Sequence, residues 1–109
     1  MIKNITKNII LSKEYLECKT ILQKAKGLML SKPKVLIFPF NKPQIVPLHM
    51  WFVFFPIDVL YLDKNKKIVE IIHNFKPFTQ YRPKTPSIYI VEFPLGMIKN
   101  SDVGDKIEF

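Results

Sequence analysis

The sequence predicts an α+β fold: a compact, barrel-like and predominantly antiparallel β-sheet, with one main α-helix at about residues 20–30 packed on it. Nine Phe, four Tyr and one Trp among 109 residues favour strands, because aromatic side chains fit a pleated, half-buried surface. Nine Pro argue against long helices, since proline breaks the helical hydrogen-bond pattern. A single segment has convincing helical spacing.

That segment is Thr20–Leu30. Thr20 and Gln23 form a capping-box pattern, in which each side chain can bond to the other residue's free backbone amide. Pro33 ends the predicted helix. The apolar residues recur at helical intervals; they are Ile21, Leu22, Ala25, Leu28 and Met29.

Short apolar runs between turn residues predict the strands. The pattern predicts a hairpin over residues 57–73, with Asn65 suited to a left-handed conformation in its turn. A single helical turn is expected over Leu95–Ser101, and an extended loop over Phe75–Pro86. The predicted strands are Asn8–Leu11, Val35–Phe40, Met50–Phe55, Ile57–Leu62, Lys67–His73, Ile88–Phe93 and Lys106–Phe109.

The most apolar run is Leu48–Asp63, LHMWFVFFPIDVLYLD. The longest stretch around it without Asp, Glu, Lys or Arg is residues 43–57, which includes three prolines. A membrane-spanning helix needs about 20 predominantly apolar residues. The run is therefore interpreted as two core strands that meet at Pro56, not as a membrane segment or an exposed binding patch.

The charge is uneven: residues 1–42 contain nine Lys against two acidic residues, a balance of +7 out of the total of +8. A basic half can attract nucleic acid through phosphate contacts. The alternative is compositional bias, since Arg82 is the only arginine and specific base readers depend on arginine. The lysines that would form such a surface are Lys13, Lys19, Lys24, Lys26, Lys32 and Lys34.

No motif for catalysis, metal or cofactor binding is present. The sequence has no C-x-x-C, H-E-x-x-H or acidic calcium loop, and its serines lie outside any G-x-S-x-G context. The single Cys18 excludes an intramolecular disulfide, which fits a reducing compartment. We predict no metal, no cofactor and a cytoplasmic protein, without a signal peptide.

Two carboxylates lie within apolar strands, Asp58 in PIDVLYLD and Glu92 in IYIVEF. Such a group must be hydrogen-bonded or face solvent. We expect both to face solvent or bond to loop amides; the alternative is that they converge with Tyr81 and Arg82 on a polar pocket. The loop Tyr81–Lys84 (YRPK) can recognise carboxylate or phosphate through Arg82, or Arg82 can pair with one of the two carboxylates. The candidate ligand-binding residues are Asp58, Tyr81, Arg82, Lys84, Glu92 and His49.

A set of ordered motifs covers nearly the whole chain. They are KGLM (26–29), HMWFVFFPIDVLYLD (49–63), KP (76–77), YRPK (81–84), VEFPLG (91–96) and GD (104–105). Together they resemble the archaeal branch of domain-of-unknown-function family 192. The bacterial W-M-K-N-T motif is absent, so no role of its Lys, Asn or Thr carries over. The resemblance implies a compact β structure with one main helix and no established activity.

Three functional hypotheses follow for one domain spanning residues 1–109, expected to be a monomer or weak dimer. The first is a non-enzymatic binding module for a small anion, peptide or protein, with the Tyr81–Lys84 loop beside Asp58 and Glu92. The second is weak nucleic-acid binding by the lysine-rich half. The third is an enzyme that uses Asp58 or Glu92 as a base.

Overall fold

In a computed structural model, residues 1–20, 29 and 32–109 are described. Those residues contain ten β-strands in three sheets. No helix among them is long and apolar enough to cross a membrane. The strands are β1 (Ile2–Asn4), β2 (Ile9–Ser12), β3 (Leu16–Glu17), β4 (Leu36–Gln44), β5 (Leu48–His49), β6 (Ile57–Leu62), β7 (Ile68–Phe75), β8 (Gln80–Tyr81), β9 (Ser87–Pro94) and β10 (Ile107–Glu108).

A five-stranded sheet in the order β3-β4-β9-β6-β7 forms the centre of the molecule. Its pairs are antiparallel except β3 with β4, which is parallel. All six residues of β6 are buried, because apolar side chains cover both faces of the sheet. This explains the unbroken apolar run, since a strand buried on both sides need not alternate apolar with polar residues.

One face packs against a three-stranded sheet of order β10-β1-β2. Ile2, Leu11 and Ile107 of that sheet meet Leu60 and Phe93 in one core. Both ends of the chain are thereby joined, because β1 pairs with β10. Hydrogen bonds from the Asn4 side chain to Ser101 and Asp105 stabilise this junction.

The other face packs against the loops around the two-stranded ribbon β5-β8. Met50 and Val53 of these loops meet Val59, Tyr61 and Ile90 in a second core. The ribbon places Leu48 opposite Tyr81 and His49 opposite Gln80, so residues 47–56 and 76–82 are held together over one face of the sheet.

The predicted fold class is wrong. The described residues are all-β, and their central sheet is open, with β3 and β7 as its outer strands, not barrel-like. Of the predicted helix, only Thr20, in a bend, and Met29, in a turn, are described, and the remaining positions lie outside the described residues. The barrel prediction failed because antiparallel pairing by itself does not distinguish a closed sheet from an open one covered on both faces.

Residues 95–101 form turns instead of a helical turn. The Met97 amide donates to the Pro94 carbonyl (3.2 Å) and the Ser101 amide to the Ile98 carbonyl (3.1 Å). Between these bonds, Gly96 and Lys99 have φ values of 88° and 54°. Such left-handed positions interrupt a right-handed helix.

The hairpin over residues 57–73 is confirmed by the antiparallel pairing of β6 with β7. In its turn, the left-handed residue is Lys66 (φ 60°) and not Asn65. Asp63 fixes this turn, because its Oδ1 accepts the amides of Asn65 (2.8 Å) and Lys67 (3.0 Å).

The predicted strand Met50–Phe55 is wrong. Phe52 has φ 60°, and the Val53 amide donates to the Met50 carbonyl at 3.3 Å, so the chain turns here. The apolar pattern predicted a buried strand because Met50 and Val53 are indeed buried, 2% exposed each. Met50 and Val53 lie in a loop, and their side chains fill part of the core.

Candidate functional site

The two carboxylates predicted to share a pocket lie on opposite faces of the central sheet. Asp58 is opposite Phe93, whereas Glu92 is opposite Val59. Successive side chains of a strand point to opposite faces, and Phe93 and Val59 belong to different cores. The structure therefore does not bring Asp58 and Glu92 together.

Asp58 is buried and hydrogen-bonded to backbone amides. Its Oδ1 accepts from the Asn74 amide (2.9 Å) and its Oδ2 from the Gly96 amide (2.8 Å). Asn74 has φ 53° and Gly96 has φ 88°. Asp58 thus links two left-handed positions, Asn74 near the end of β7 and Gly96 after β9, to the start of β6.

Glu92 is also buried, 8% exposed, but no hydrogen bond to its carboxyl is found among the described residues. Burial raises the pKa of Glu92 to about 7, because desolvation penalises the charged form. At neutral pH this group is therefore poised between its neutral and charged forms.

The Tyr61 hydroxyl lies on the same face as Glu92. It is buried and has no hydrogen-bond partner in the described structure. Desolvation raises the pKa of Tyr61 far above its ordinary value, and the nearby charges of Glu70, Tyr81 and Glu92 raise it further. Tyr61 therefore brings an unsatisfied hydroxyl, and Glu92 an ionisable carboxyl, to the same largely apolar face.

Glu70 anchors the loop that the sequence singled out. One of its carboxyl oxygens accepts the Tyr81 hydroxyl, and the other accepts the amides of Lys84 (2.9 Å) and Thr85 (3.1 Å). Donating this bond to Glu70 raises the pKa of the Tyr81 hydroxyl, with smaller contributions from desolvation and from the charge of Glu70. Glu70 was missed from the sequence, although it interrupts an apolar strand just as Asp58 and Glu92 do.

Arg82 emerges from this anchored loop beside a pocket of about 350 Å³. Its side chain is exposed, and no ion pair to Asp58, Glu92 or any other described carboxylate is formed. The predicted pairing of Arg82 with Asp58 or Glu92 is therefore not seen. The pocket is lined by Pro47, Leu48, Gln80, Tyr81 and Arg82.

The other two candidates lie close to this pocket in the chain. Lys84 is exposed, while its backbone amide donates to Glu70. His49 is exposed on β5, where its Nδ1 accepts the Trp51 amide at 3.4 Å. The structure thus brings Tyr81, Arg82 and Lys84 into one loop with His49 on the adjacent strand, whereas Glu92 is buried in β9 and does not line the pocket.

The lysines of the predicted nucleic-acid surface are only partly described. Lys13, Lys19 and Lys32 are exposed and Lys34 is half-buried, whereas Lys24 and Lys26 lie outside the described residues. Lys19 forms an ion pair with Glu17 at 3.2 Å. Lys34 lines a second hollow of about 440 Å³, together with Glu14.

A cluster of exposed aromatic side chains lies at the far end of the β5-β8 ribbon. Phe78 contacts both Phe52 and Phe54, with ring centroids 6.1 and 5.4 Å apart, and Trp51 precedes them in the chain. We call Trp51, Phe52, Phe54 and Phe78 the aromatic cluster; they are 45%, 52%, 65% and 44% exposed. The prediction that Leu48–Asp63 has no exposed patch is wrong, because this loop turns its larger rings outward.

The described residues contain no group of three or more His, Cys, Asp or Glu side chains able to hold a metal ion.

Two solved structures share this fold. A protein of unknown function from Novosphingobium aromaticivorans superposes with a TM-score of 0.78 at 23% identity, over 85% of this chain and 72% of that one. A putative transcription regulator from Sinorhizobium meliloti superposes with a TM-score of 0.77 at 24% identity, over 85% and 79%. These similarities establish the fold alone.

Archaeal proteins are similar over most of their length. A UPF0127 protein of Pyrococcus horikoshii is 33% identical, covering 100% of this chain and 98% of the relative. Another, from Pyrococcus furiosus, is 36% identical, covering 97% and 95%. The model of domain-of-unknown-function family 192, described as "Uncharacterized ACR", matches residues 11–109. The chain therefore belongs to domain-of-unknown-function family 192, and the resemblance of its motifs to that family is confirmed.

Proposed function

We propose that this protein is a single-domain, non-enzymatic binding module of the cytoplasm, which captures an anionic group at Arg82. The observation that carries the proposal is an exposed guanidinium beside a pocket, with no described carboxylate paired to it. Arginine presents a planar fork of N–H donors that matches a carboxylate or phosphate.

The loop around Arg82 is held in place before any ligand arrives. Glu70 bonds to Tyr81 on one side of Arg82 and to the Lys84 and Thr85 amides on the other. Pro83, between them, is buried. Ordering a loop in advance reduces the entropy lost on binding, which supports a recognition role for this arginine.

Titration with inorganic phosphate and with acetate tests the proposal. At low ionic strength, NMR signals of the Arg82 side chain and of the Leu48, Gln80 and Tyr81 amides should shift in a saturable way. Arg82→Gln should abolish these shifts. Lys64→Gln, at an exposed lysine of the β6–β7 turn, is the matched control and should leave them unchanged. Shifts that survive in Arg82→Gln would reject the proposal.

The enzymatic alternative rests on Glu92, whose pKa of about 7 suits a general base. Glu92 lines neither the pocket at Arg82 nor the hollow at Lys34, and Asp58 is engaged by two amides. For these reasons we favour binding over catalysis.

Weak nucleic-acid binding through Lys13, Lys32 and Lys34 remains the second candidate, supported by the net charge of +8. The similar fold of the Sinorhizobium meliloti putative transcription regulator is consistent with it. It requires affinity for DNA that decreases steeply with salt and is lost in the triple variant of these lysines to Gln. Retention of full affinity in that variant would exclude this surface.

A further inference from the structure

We propose that the aromatic cluster and the Arg82 pocket form one continuous docking surface for an acidic peptide segment of a partner protein. A partner carboxylate binds Arg82, and apolar side chains pack on the cluster. This inference rests on the proposed function, since it assigns the anion to a peptide.

The rings of the cluster are presented by a strained but well-bonded backbone. Phe52 and Phe78 have φ values of 60° and 58°, a region that bulky residues rarely occupy. The Met50 amide donates to the Thr79 carbonyl (2.7 Å) and the Phe78 amide to the Met50 carbonyl (2.8 Å). Backbone strain that the surrounding structure maintains is concentrated at functional sites.

These same bonds make the two parts of the surface continuous. They extend the pairing of Leu48 with Tyr81 and of His49 with Gln80 as far as Phe78. The strand rise of about 3.3 Å per residue sets about 10 Å as the upper limit for the three steps from Tyr81 to Phe78, since Phe78 itself lies in a turn. An extended peptide covers this distance with about three residues.

The charge of this surface favours an acidic partner. Residues 45–57 and 71–91 contain no Asp or Glu, but include Lys76, Arg82 and Lys84. The neighbouring carboxylate of Glu70 is already engaged by Tyr81 and the loop amides. A second copy of this chain, placed symmetrically, would oppose like charges and is disfavoured.

The arrangement of the rings favours a peptide over nucleic acid. Phe52 and Phe54 each meet Phe78 at 69°, edge to face. Bases stack on free, flat aromatic faces. Rings packed edge to face form an uneven surface, which suits aliphatic and aromatic side chains. Aromatic residues and arginine are also the side chains that dominate binding energy at protein interfaces.

Selection from a phage-displayed library of random peptides tests the inference on the full chain. We expect enrichment of Asp or Glu about three residues from Leu, Ile, Phe or Trp. Enrichment of basic peptides, or no enrichment, would overturn the proposal. Binding of a selected synthetic peptide should shift the emission of Trp51, the only tryptophan.

Variants separate the two parts of the surface. Phe54→Ser and Arg82→Gln should each lower the affinity for the selected peptide about tenfold or more. Val103→Ser removes a similarly exposed apolar side chain (62%) from another surface, and should change the affinity less than twofold. Phe54→Leu should retain most of it, and unchanged thermal unfolding would show that the variants are folded.

The outcomes distinguish this inference from the proposed function. If only Arg82→Gln weakens the peptide, the extended surface is rejected while anion binding stands. If only Phe54→Ser weakens binding of the peptide, Arg82 is not part of the surface and this inference is rejected, while the phosphate titration decides separately on anion binding at Arg82. A further outcome is that no peptide is enriched, while the protein binds phosphatidylserine vesicles or oligo(dT) and Phe54→Ser abolishes that binding. The ligand of this surface would then be a membrane or a nucleic acid, and the peptide proposal would be rejected.

Discussion

Asp58 and Glu92 point to opposite faces of one sheet, and their surroundings differ accordingly. Asp58 accepts two backbone amides at 2.9 and 2.8 Å. The Glu92 carboxyl meets no hydrogen-bond donor among the described residues, and its pKa rises to about 7. Asp58 therefore stabilises the fold, whereas burying Glu92 in its charged form lowers the stability of the fold.

Replacing Asp58 by Ala should destabilise the protein by about 3 kcal/mol, because two partly buried hydrogen bonds from backbone amides to a charged acceptor are lost. The urea dependence of the unfolding equilibrium measures this change. Asp58→Asn should also be destabilising, since its NH₂ group would face an amide donor. Glu14→Ala, an exposed carboxylate, is the control. A loss below about 0.5 kcal/mol in Asp58→Ala would contradict the assigned role.

Glu92 should make stability decrease as the pH rises. Burial raises its pKa from an ordinary value of 4.5 to about 7, so the folded state binds this proton more tightly than the unfolded chain. The free energy of unfolding is therefore unaffected by this group below about pH 4.5, falls between 4.5 and 7 by about 3 kcal/mol, and is constant above.

Glu92→Gln should remove this decrease and make the protein more stable than the parent at neutral to alkaline pH. Denaturant unfolding at a series of pH values measures it. Glu108→Gln, at an exposed position of β10, is the control. Parallel pH profiles for the parent and Glu92→Gln would show that Glu92 is not the group responsible.

Glu70→Gln should lower the pKa of Tyr81 towards its ordinary value, because the bond to Glu70 is the largest cause of its rise. NMR titration of ring-labelled tyrosine, assigned with Tyr81→Phe, measures this. The same variant should weaken phosphate binding at Arg82, since the loop loses an anchor. A Tyr81 pKa that does not change would argue against the bond.

Asn4→Ala should weaken the junction of the two ends of the chain. The Asn4 side chain is fully buried and donates to Ser101 Oγ (3.0 Å) and Asp105 Oδ2 (2.9 Å). Its Oδ1 also accepts the Lys7 amide (3.0 Å). Losing all three bonds should cost at least about 2 kcal/mol, measured by urea unfolding. Lys3→Ala, on the same strand, should change stability by much less.

The same junction should respond to acid. Desolvation alone would raise the pKa of Asp105, but hydrogen bonds from Asn4, the Asp102 amide and Lys7 outweigh it, so that pKa is lowered. The stability gained from Asp105 is therefore present above its ordinary pKa and is lost as the pH falls through the lowered value. Asn4→Ala should move this loss to higher pH; an unchanged acid transition would contradict the assignment.

Sequence patterns alone were enough to predict four strands of the central sheet, β4, β6, β7 and β9, and the hairpin of β6 with β7 among them. It also placed the anion-binding candidate on the loop containing Arg82. Local chemistry suffices there, because alternation, proline and turn residues act over a few positions.

Three features could not be predicted from local patterns: Asp58 and Glu92 lie apart, Glu70 anchors the loop of Arg82, and the rings beside Val53 face outward. Each depends on which strands pair and which face a neighbour covers, relations between residues far apart in the chain. The same run of apolar residues is compatible with a strand of a sheet and with a loop. Here the chain turns at the left-handed Phe52, and the side chains of Met50 and Val53 point into the core.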